Sequence, residues 1–342
     1  LGNELKLEFR QPVFFEARTT LGVTSRWDIG PDPNQPNVFR HDLDQGLVVS
    51  RPFFGGRLLL SNGFRVNLYR RAPGLNNTAA TAGSSDYQIL FLEQFVQVDL
   101  RDNARQPRQG AFFSIGAQEA GLARPQLGVS SWRYFRITPE ARAYAPLPAG
   151  MVLAARFGMG AMFIDDFDAD NLDPVSQVLG PTRYRLRGGG PTSHRGYSSA
   201  QLGWFDAEDG RHAPLEAASD TAWSKTSGGI RRWEASLELR VPITQDFGTV
   251  VFADMGDVNR AKQFRFNYIH LAVGIGFRYQ TIVGPLRVDL GVLVPGAQVI
   301  GGPDAPYANT DLEGFADQRF GDYWTRRDNI PGSINITIGE AF

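Results

Sequence analysis

From Glu4 to Arg10 the chain sets Leu5, Leu7 and Phe9 against Lys6, Glu8 and Arg10, the period-two pattern of a strand with one apolar and one polar face. Three charges on one side of so short a segment require water there. The pattern recurs. Thr20 to Trp27 places Leu21 and Val23 opposite Gly22, Thr24 and Arg26, until Pro, Asn and Asp break it between Gly30 and Asn37. Further strands are predicted from about Asp42 to Pro52, Arg57 to Arg70, Gln88 to Arg101, Ala111 to Gln118, Trp132 to Tyr144 and Val152 to Phe163. Arg231 to Val241 is the clearest, with Trp233, Ala235, Leu237, Leu239 and Val241 on one face and Arg232, Glu234, Ser236, Glu238 and Arg240 on the other. Thr249 to Met255, Leu271 to Tyr279 and Leu286 to Val294 follow, the last with Arg287 and Asp289 on its polar side. Ile334, Ile336 and Ile338 close the series.

These are about thirteen strands joined alternately by short turns, such as Asn103 to Gly110 and Ala145 to Gly150, and long polar connections. The long ones are Ala72 to Asp86, Ile164 to Gly229 and Gly296 to Arg327. Unstructured connections beyond roughly 12–15 residues are uncommon in compact domains and are usually functional. Short turns on one side with long loops on the other is the sidedness of an outer-membrane barrel. A sandwich or propeller with one wet face is the alternative, but these polar faces are too charged for a core and no propeller period is present. The predicted fold is therefore all-β, a transmembrane antiparallel β-barrel spanning residues 1–342, with the segment 164–229 folded into its lumen as a lid. Single-chain bacterial barrels have an even number of strands with both ends periplasmic. An odd count predicts further strands upstream of Leu1, the chain being a processed product or a fragment.

Composition adds less. The 24 Phe, 10 Tyr and 6 Trp suit the aromatic girdles of a membrane barrel. A net charge of −1 gives no field to draw nucleic acid. The absence of Cys excludes disulfides, thiolate metal sites and cysteine nucleophiles. No apolar run reaches about 18 residues, so no transmembrane helix is predicted. The mean hydropathy of −0.25 fits a barrel, in which only every second strand residue meets lipid. His41, in a predicted loop, and His270, at a strand start, read as polar residues, and none of the four histidines has metal-ligand spacing. Asp165, Asp166 and Asp168 could hold a cation but read as a solvated acidic loop. With no Gly-x-Ser-x-Gly elbow either, no catalytic residue, cofactor or metal is expected.

At Gly189-Gly190 followed by Ser193-His194-Arg195-Gly196-Tyr197 the sequence resembles the glycine-rich, Arg-Gly-aromatic loop of the BamA/TamA outer-membrane assembly superfamily. Further matches follow in order: Ala235-Ser236-Leu237-Glu238, Phe252-Ala253-Asp254-Met255-Gly256, Gly284-Pro285-Leu286-Arg287 and Ile336-Thr337-Ile338-Gly339. Asp99 to Asn103 resembles its Arg-Asp-rich strand end. The resemblance, most BamA-like, implies sixteen strands in the whole protein, periplasmic POTRA domains before them, and a start near the fourth strand here. Two departures are His194, where an apolar residue is usual, and the long final loop.

The resemblance also implies that Arg195 lies inside the barrel paired with Glu238 and Asp254. Strand parity agrees for Glu238; for Asp254 it is less decisive, because Val250 and Phe252 share its face. An isolated Arg-Gly-Tyr would equally suit a solvated loop tip. The function implied is folding and insertion of β-barrel proteins into the bacterial outer membrane through a lateral seam, without enzymatic turnover. A TamA-like or secretion-type translocator and, outside the family, a passive diffusion channel stand as alternatives. Its partners would be unfolded barrel clients, the lipid bilayer, periplasmic accessory lipoproteins and chaperones, and no nucleic acid. The closing strand, with Ile334, Ile336, Ile338, Gly339 and Phe342, would form the seam. Gly339 either permits a kink or is a tolerated small residue, and Phe342 is expected as an aromatic anchor ending the strand.

Overall fold

The computed structural model describes residues 3–31, 39–71, 86–122, 131–168, 179–202, 205–206, 212–213, 228–267, 269–282, 284–300, 318–319, 332–339 and 341–342. Thirteen strands of seven or more residues follow one another: β1 (Asn3–Gln11), β2 (Thr20–Pro31), β3 (Phe39–Phe53), β4 (Leu58–Arg71), β5 (Tyr87–Asp99), β6 (Gly110–Ala120), β7 (Ser131–Pro146), β8 (Val152–Asp168), β9 (Arg231–Pro242), β10 (Phe247–Asn259), β11 (His270–Thr281), β12 (Gly284–Ile300) and β13 (Gly332–Ile338). Each pairs with its neighbour in sequence, so the sheet is one antiparallel meander. Two-residue segments pair at Phe205–Asp206 with His212–Ala213, and Gln318–Arg319 pairs with the end of β12.

Two compact units are present. The first comprises Leu1–Val98, Ser114–Thr138 and Met162–Arg185. Its apolar face points outward, where Leu5, Leu7, Phe9, Leu47 and Phe64 are exposed, and its opposite face buries charge. There Arg65 donates to Asp44 at 2.9 Å and to Glu93 at 3.0 Å, and Asn67 donates to Asp42 at 2.6 Å. The stacked pair Tyr69 and Tyr87, 4.7 Å apart and nearly parallel, caps this face between β4 and β5.

The second unit comprises Asp99–Phe113, Pro139–Ala161 and Leu186–Phe342. It repeats the inversion: Leu237, Val251, Val273, Ile275, Phe277, Ile334, Ile336 and Ile338 are exposed, while Glu234, Glu238, Asp254, Arg287 and Asp289 are buried. Apolar outside and ionic inside is the arrangement that a lipid solvent selects, since a water-soluble sheet would hide the isoleucines.

All thirteen predicted strands are present, with three differences. β8 runs on to Asp168, so Asp165, Asp166 and Asp168 belong to a strand and the lid starts later than Ile164. The apolar alternation lapses there but the ladder continues, and Arg133 of β7 lies 3.6 Å from Asp165. β12 likewise extends to Ile300, beyond the predicted Val294. His41 lies within β3, paired with Ile29 and Arg70, rather than in a loop. Almost all of the connection Ala72 to Asp86, most of Gly296 to Arg327 and much of the lid lie outside the described residues.

If the exposed face meets lipid, a charge placed on it is penalised. Leu237→Arg is expected to lower the stability of the membrane-folded protein by about 2–4 kcal/mol if it sits near the bilayer midplane. Urea titration in lipid vesicles reads this, and an unchanged midpoint would place Leu237 in water.

Candidate functional site

The segment 186–202 lies on the polar face of β9 to β13, within the second unit. Its base is closed by a two-way hydrogen-bonded bridge between Leu186 and Gly229, at 2.8 and 2.9 Å, and by Leu202 N–H donating to the Gly188 carbonyl at 3.1 Å. Between these the chain doubles back. Gly190 N–H points at the carbonyls of His194 and Tyr197, and Gly189 N–H donates to Ser193 Oγ at 2.8 Å. Gly189 and Gly190 have φ of +97° and +100°, a region open to glycine, and a Cβ on Gly189 would strike the Ser198 carbonyl. The double glycine is thus what lets the loop fold tightly enough to present the next residues downward.

Arg195 is the residue so presented, 1% exposed. Its Nε and Nη2 donate to the two oxygens of Asp254 at 2.8 and 2.9 Å, and its own backbone N–H adds a third bond to Asp254 at 2.9 Å. Nη1 donates to Glu238 Oε2 at 2.6 Å. The guanidinium lies 3.5 Å from the centroid of the Phe252 ring. A planar fork satisfies two carboxylates and a ring face together, which a lysine ammonium cannot. Register accounts for the convergence: Glu238 opposes Phe252 and Ser236 opposes Asp254 on β9 and β10, so the two acids are diagonal neighbours on one face. The parity that the sequence left undecided resolves in favour of the lid side. Val250, Phe252 and Asp254 are all buried, the last two against Arg195, and it is Val251 that is exposed.

Further ionic contacts tie the same loop down. Ser193 Oγ donates to Glu234, whose other oxygen receives Arg156 Nη1 at 3.3 Å. Glu238 Oε1 accepts from Arg240 at 2.7 Å, and Asp289 accepts from Arg278 at 2.6 Å. Arg287 Nη2 donates to the Pro191 carbonyl at 2.7 Å while its Nε donates to Thr337 at 2.9 Å. Asn335 Nδ2 donates to the Arg195 carbonyl at 3.2 Å. The loop is therefore bonded directly to β13. Gly196 makes the close approach possible, because a Cβ there would meet Ala272 and, at 2.8 Å, Leu293.

An apolar and aromatic pad completes the contact. Tyr197, Leu202, Val258, Ala272 and Leu293 form a buried cluster. Tyr197 Oη shares a hydrogen bond of 2.8 Å with His270 Nδ1, and His194 Nε2–H donates to the His270 carbonyl at 2.8 Å. His194, unusual against the family pattern, is thus buried in the loop contact, and His270 is a packing partner rather than a solvated polar residue.

The closing residues depart from expectation. Ile334, Ile336 and Ile338 face outward, but Gly339 turns at φ +101° with its N–H on the Pro285 carbonyl at 2.8 Å, and the strand ends there. Phe342 is buried with Tyr144, Val152, Ala154 and Ala341, and Arg240 Nη2 lies 3.4 Å from its carbonyl. It is not an outward aromatic anchor. The turn at Gly339 ends the strand before Phe342 is reached.

In the first unit, a short turn at Thr182–Tyr184 makes a second set of loop contacts that the sequence did not single out. Tyr184 packs edge-on against Phe91 with centroids 5.5 Å apart and beside Tyr134 at 6.1 Å. Arg183 pairs with Asp42 and reaches Asp44 at 3.5 Å. The parity of Asp42 and Asp44 was legible, but nothing local marks which loop cation would meet them. Glu234 was findable, since it shares the polar face of Glu238.

The geometry sets expectations for substitution. Arg195→Lys should loosen the loop nearly as much as Arg195→Ala, each by about 3–5 kcal/mol as the buried Asp254 loses its forked partner. Gly196→Ala should loosen it with every charge retained. Protease cleavage between residues 186 and 202 in folded protein reads both, and full protection in Arg195→Lys would show that the fork geometry is immaterial.

Residues 1–304 match the sequence pattern of the Omp85 superfamily domain. Among solved structures, the chain is similar to BamA from Haemophilus ducreyi lacking POTRA domains 1-3, with a TM-score of 0.62 and 17% identity over 86% of this chain and 59% of that one. CdiB from Acinetobacter baumannii is a more distant match, with a TM-score of 0.37 and 10% identity over 86% of this chain and 53% of that one. The chain thus spans less than two thirds of either protein's length. No curated protein matches it. With the family pattern covering most of its length and the strand architecture shared with a BamA barrel, this chain belongs to the Omp85 superfamily and is an integral β-barrel protein of the bacterial outer membrane.

Proposed function

We propose that the chain is the membrane domain of a BamA-like assembly factor, which folds and inserts β-barrel clients into the outer membrane by letting a client strand pair with an exposed edge at a lateral seam. The observation that carries this reading is the bond between loop and closing strand: Asn335 and Thr337 of β13 are held by Arg195 and Arg287, the same residues that hold the loop. Among the described residues β13 is also the shortest of the thirteen strands, its register with β12 running from Gly332 to Ile338. Few ladder bonds and a glycine turn at its end suit a strand that must release. The latch at Gly189, Gly190, Arg195, Gly196 and Tyr197 with Glu238 and Asp254 would set how readily β13 detaches.

On this reading the domain runs through residues 1–342, within it the connection from β8, which ends at Asp168, to β9 acts as a lid, and strands and POTRA domains preceding Leu1 complete the protein. The partners are unfolded barrel clients, with periplasmic lipoproteins and chaperones delivering them. No step needs a cofactor or a covalent intermediate. A TamA-like or secretion-type translocator would use the same latch. A passive channel fits less well, because the loop packs against the polar face along which solutes would pass.

The test is client insertion. Full-length protein in phospholipid vesicles should speed the folding of urea-denatured outer-membrane barrels severalfold over empty vesicles, and a disulfide joining β13 to the first strand of the full-length protein should abolish the gain. Large, stable single-channel openings with no effect on client folding would favour the channel instead.

A further inference from the structure

Three large apolar residues of the first unit adopt left-handed backbone, and all three lie at the tips of short turns. Val13 and Phe15, with φ of 58° and 62°, lie in the turn 12–19 between β1 and β2. Phe54, with φ of 52°, begins the turn between β3 and β4, which continues through Gly55 at +68° and Gly56 at +95°. Bulky and β-branched side chains rarely occupy this region, and where they do the surrounding structure must hold them. The strain is not offset by burial. Val13 is 63% exposed, Phe54 77% and Phe15 93%. In water such turns would be disfavoured twice over, by the backbone and by the bare apolar surface.

Cations accompany these tips. Arg18, Arg51 and Arg57 are exposed around the two turns. Arg51 lies 4.7 Å over the Phe53 ring and 2.8 Å from Glu16, itself bonded to Thr19. Phe14 N–H donates to the Thr19 carbonyl at 2.8 Å, so the first turn is closed rather than loose. By strand alternation Arg51 and Phe53 share the face of Leu47, which is the outward face. The apolar tips therefore continue a surface that already faces lipid, and the arginines stand where that surface ends.

We propose that these two turns form a foot seated in the adjacent membrane leaflet, with Val13, Phe15 and Phe54 at the boundary between acyl chains and headgroups and Arg18, Arg51 and Arg57 on the phosphates of anionic glycerophospholipids. Continuity with the lipid-facing strands and the positive charge select a phospholipid leaflet over a soluble partner. Arginine stems can lie along apolar surface while their heads reach phosphate, and Arg51 lies over the Phe53 ring in a way that suits this. In the second unit Ile282, in the turn between β11 and β12, is likewise wholly exposed.

The native chain has no cysteine, so single labels are clean. Full-length protein carrying a bimane fluorophore at Phe15→Cys or Phe54→Cys is reconstituted in phosphatidylcholine vesicles with or without phosphatidylglycerol. A label at Ala104→Cys, in an exposed turn, is the aqueous reference. Labels at positions 15 and 54 are expected to be quenched by iodide at least threefold less than at 104 and to be quenched by lipids spin-labelled near the headgroup. The protection should grow with phosphatidylglycerol, and that growth should vanish in an Arg51→Gln, Arg57→Gln background. Equal iodide quenching at all three positions overturns the proposal, as does protection that appears only when a soluble periplasmic extract is added. Phe54→Gly supplies a second reading, because glycine accepts the left-handed φ. It should melt no lower than the parent in detergent but lower in phosphatidylglycerol vesicles. A lower melting temperature in detergent as well would make Phe54 a structural residue and remove it from the foot.

Discussion

One charge withdrawn from water organises the second unit. Burying a guanidinium costs several kcal/mol after relaxation, and the cost is offset only when every donor finds a partner of opposite sign in good geometry. Arg195 comes close to that condition, since each of its three guanidinium nitrogens donates to Asp254 or Glu238 and its face meets the Phe252 ring. Burial opposes its charge, but bonding to Asp254 and the fields of Asp254, Glu238 and Asp289 outweigh it, so its pKa is raised above the ordinary arginine value. Because the two acids sit on adjacent strands, one loop residue bridges β9 and β10. Because its carbonyl accepts from Asn335, the same residue reaches β13. Removing it would take the fork from Asp254 and leave Glu238 to Arg240 and Arg278 alone, which is why the loop and the sheet behind it are best regarded as one ionic assembly.

The glycines are the geometric counterpart of that charge. Gly189 and Gly190 provide the left-handed turns, and Gly196 and Gly291 let loop and sheet backbones approach closely, since a Cβ on Gly291 would strike the Arg195 carbonyl. Small residues on both sides bring the main chain of the loop close enough for Arg195 N–H itself to reach Asp254. Arginine specifies where the loop docks, and glycine how closely. In lipid this economy matters, because the outward face is already committed to apolar side chains and only the polar face remains for specific contact.

How much of this could be read from the chain alone follows from what each feature depends on. Strand positions depend on a period-two alternation forced by two different solvents, and from Leu5 to Ile338 that alternation was visible. It failed where parity stopped being informative: at Asp165 and Asp166, where two acids follow in sequence and β8 nonetheless continues, and at Gly339, where the chain turns and carries Phe342 inward to Tyr144 and Arg240. The pairing of Arg195 came from family resemblance; no local pattern tells a loop arginine which of many inward acids it will meet. For the same reason Arg183 with Asp42, Ser193 with Glu234 and Tyr197 with His270 were not foreseen. Asp254 was ambiguous because the apolar Val250 and Phe252 share its face, and the register with β9, which sets Phe252 opposite Glu238, decides it.

The central claim is that Arg195 and Asp254 act as one unit holding the loop on the sheet. The direct measurement is a double-mutant cycle on Arg195→Ala and Asp254→Ala, with the free energy of loop opening read from hydrogen exchange of the amides between Ser193 and Tyr197 in lipid-reconstituted protein. The account predicts a coupling energy of about 2 kcal/mol or more, the double variant opening little more easily than either single one. Additive effects, with coupling within about 0.5 kcal/mol of zero, would contradict it.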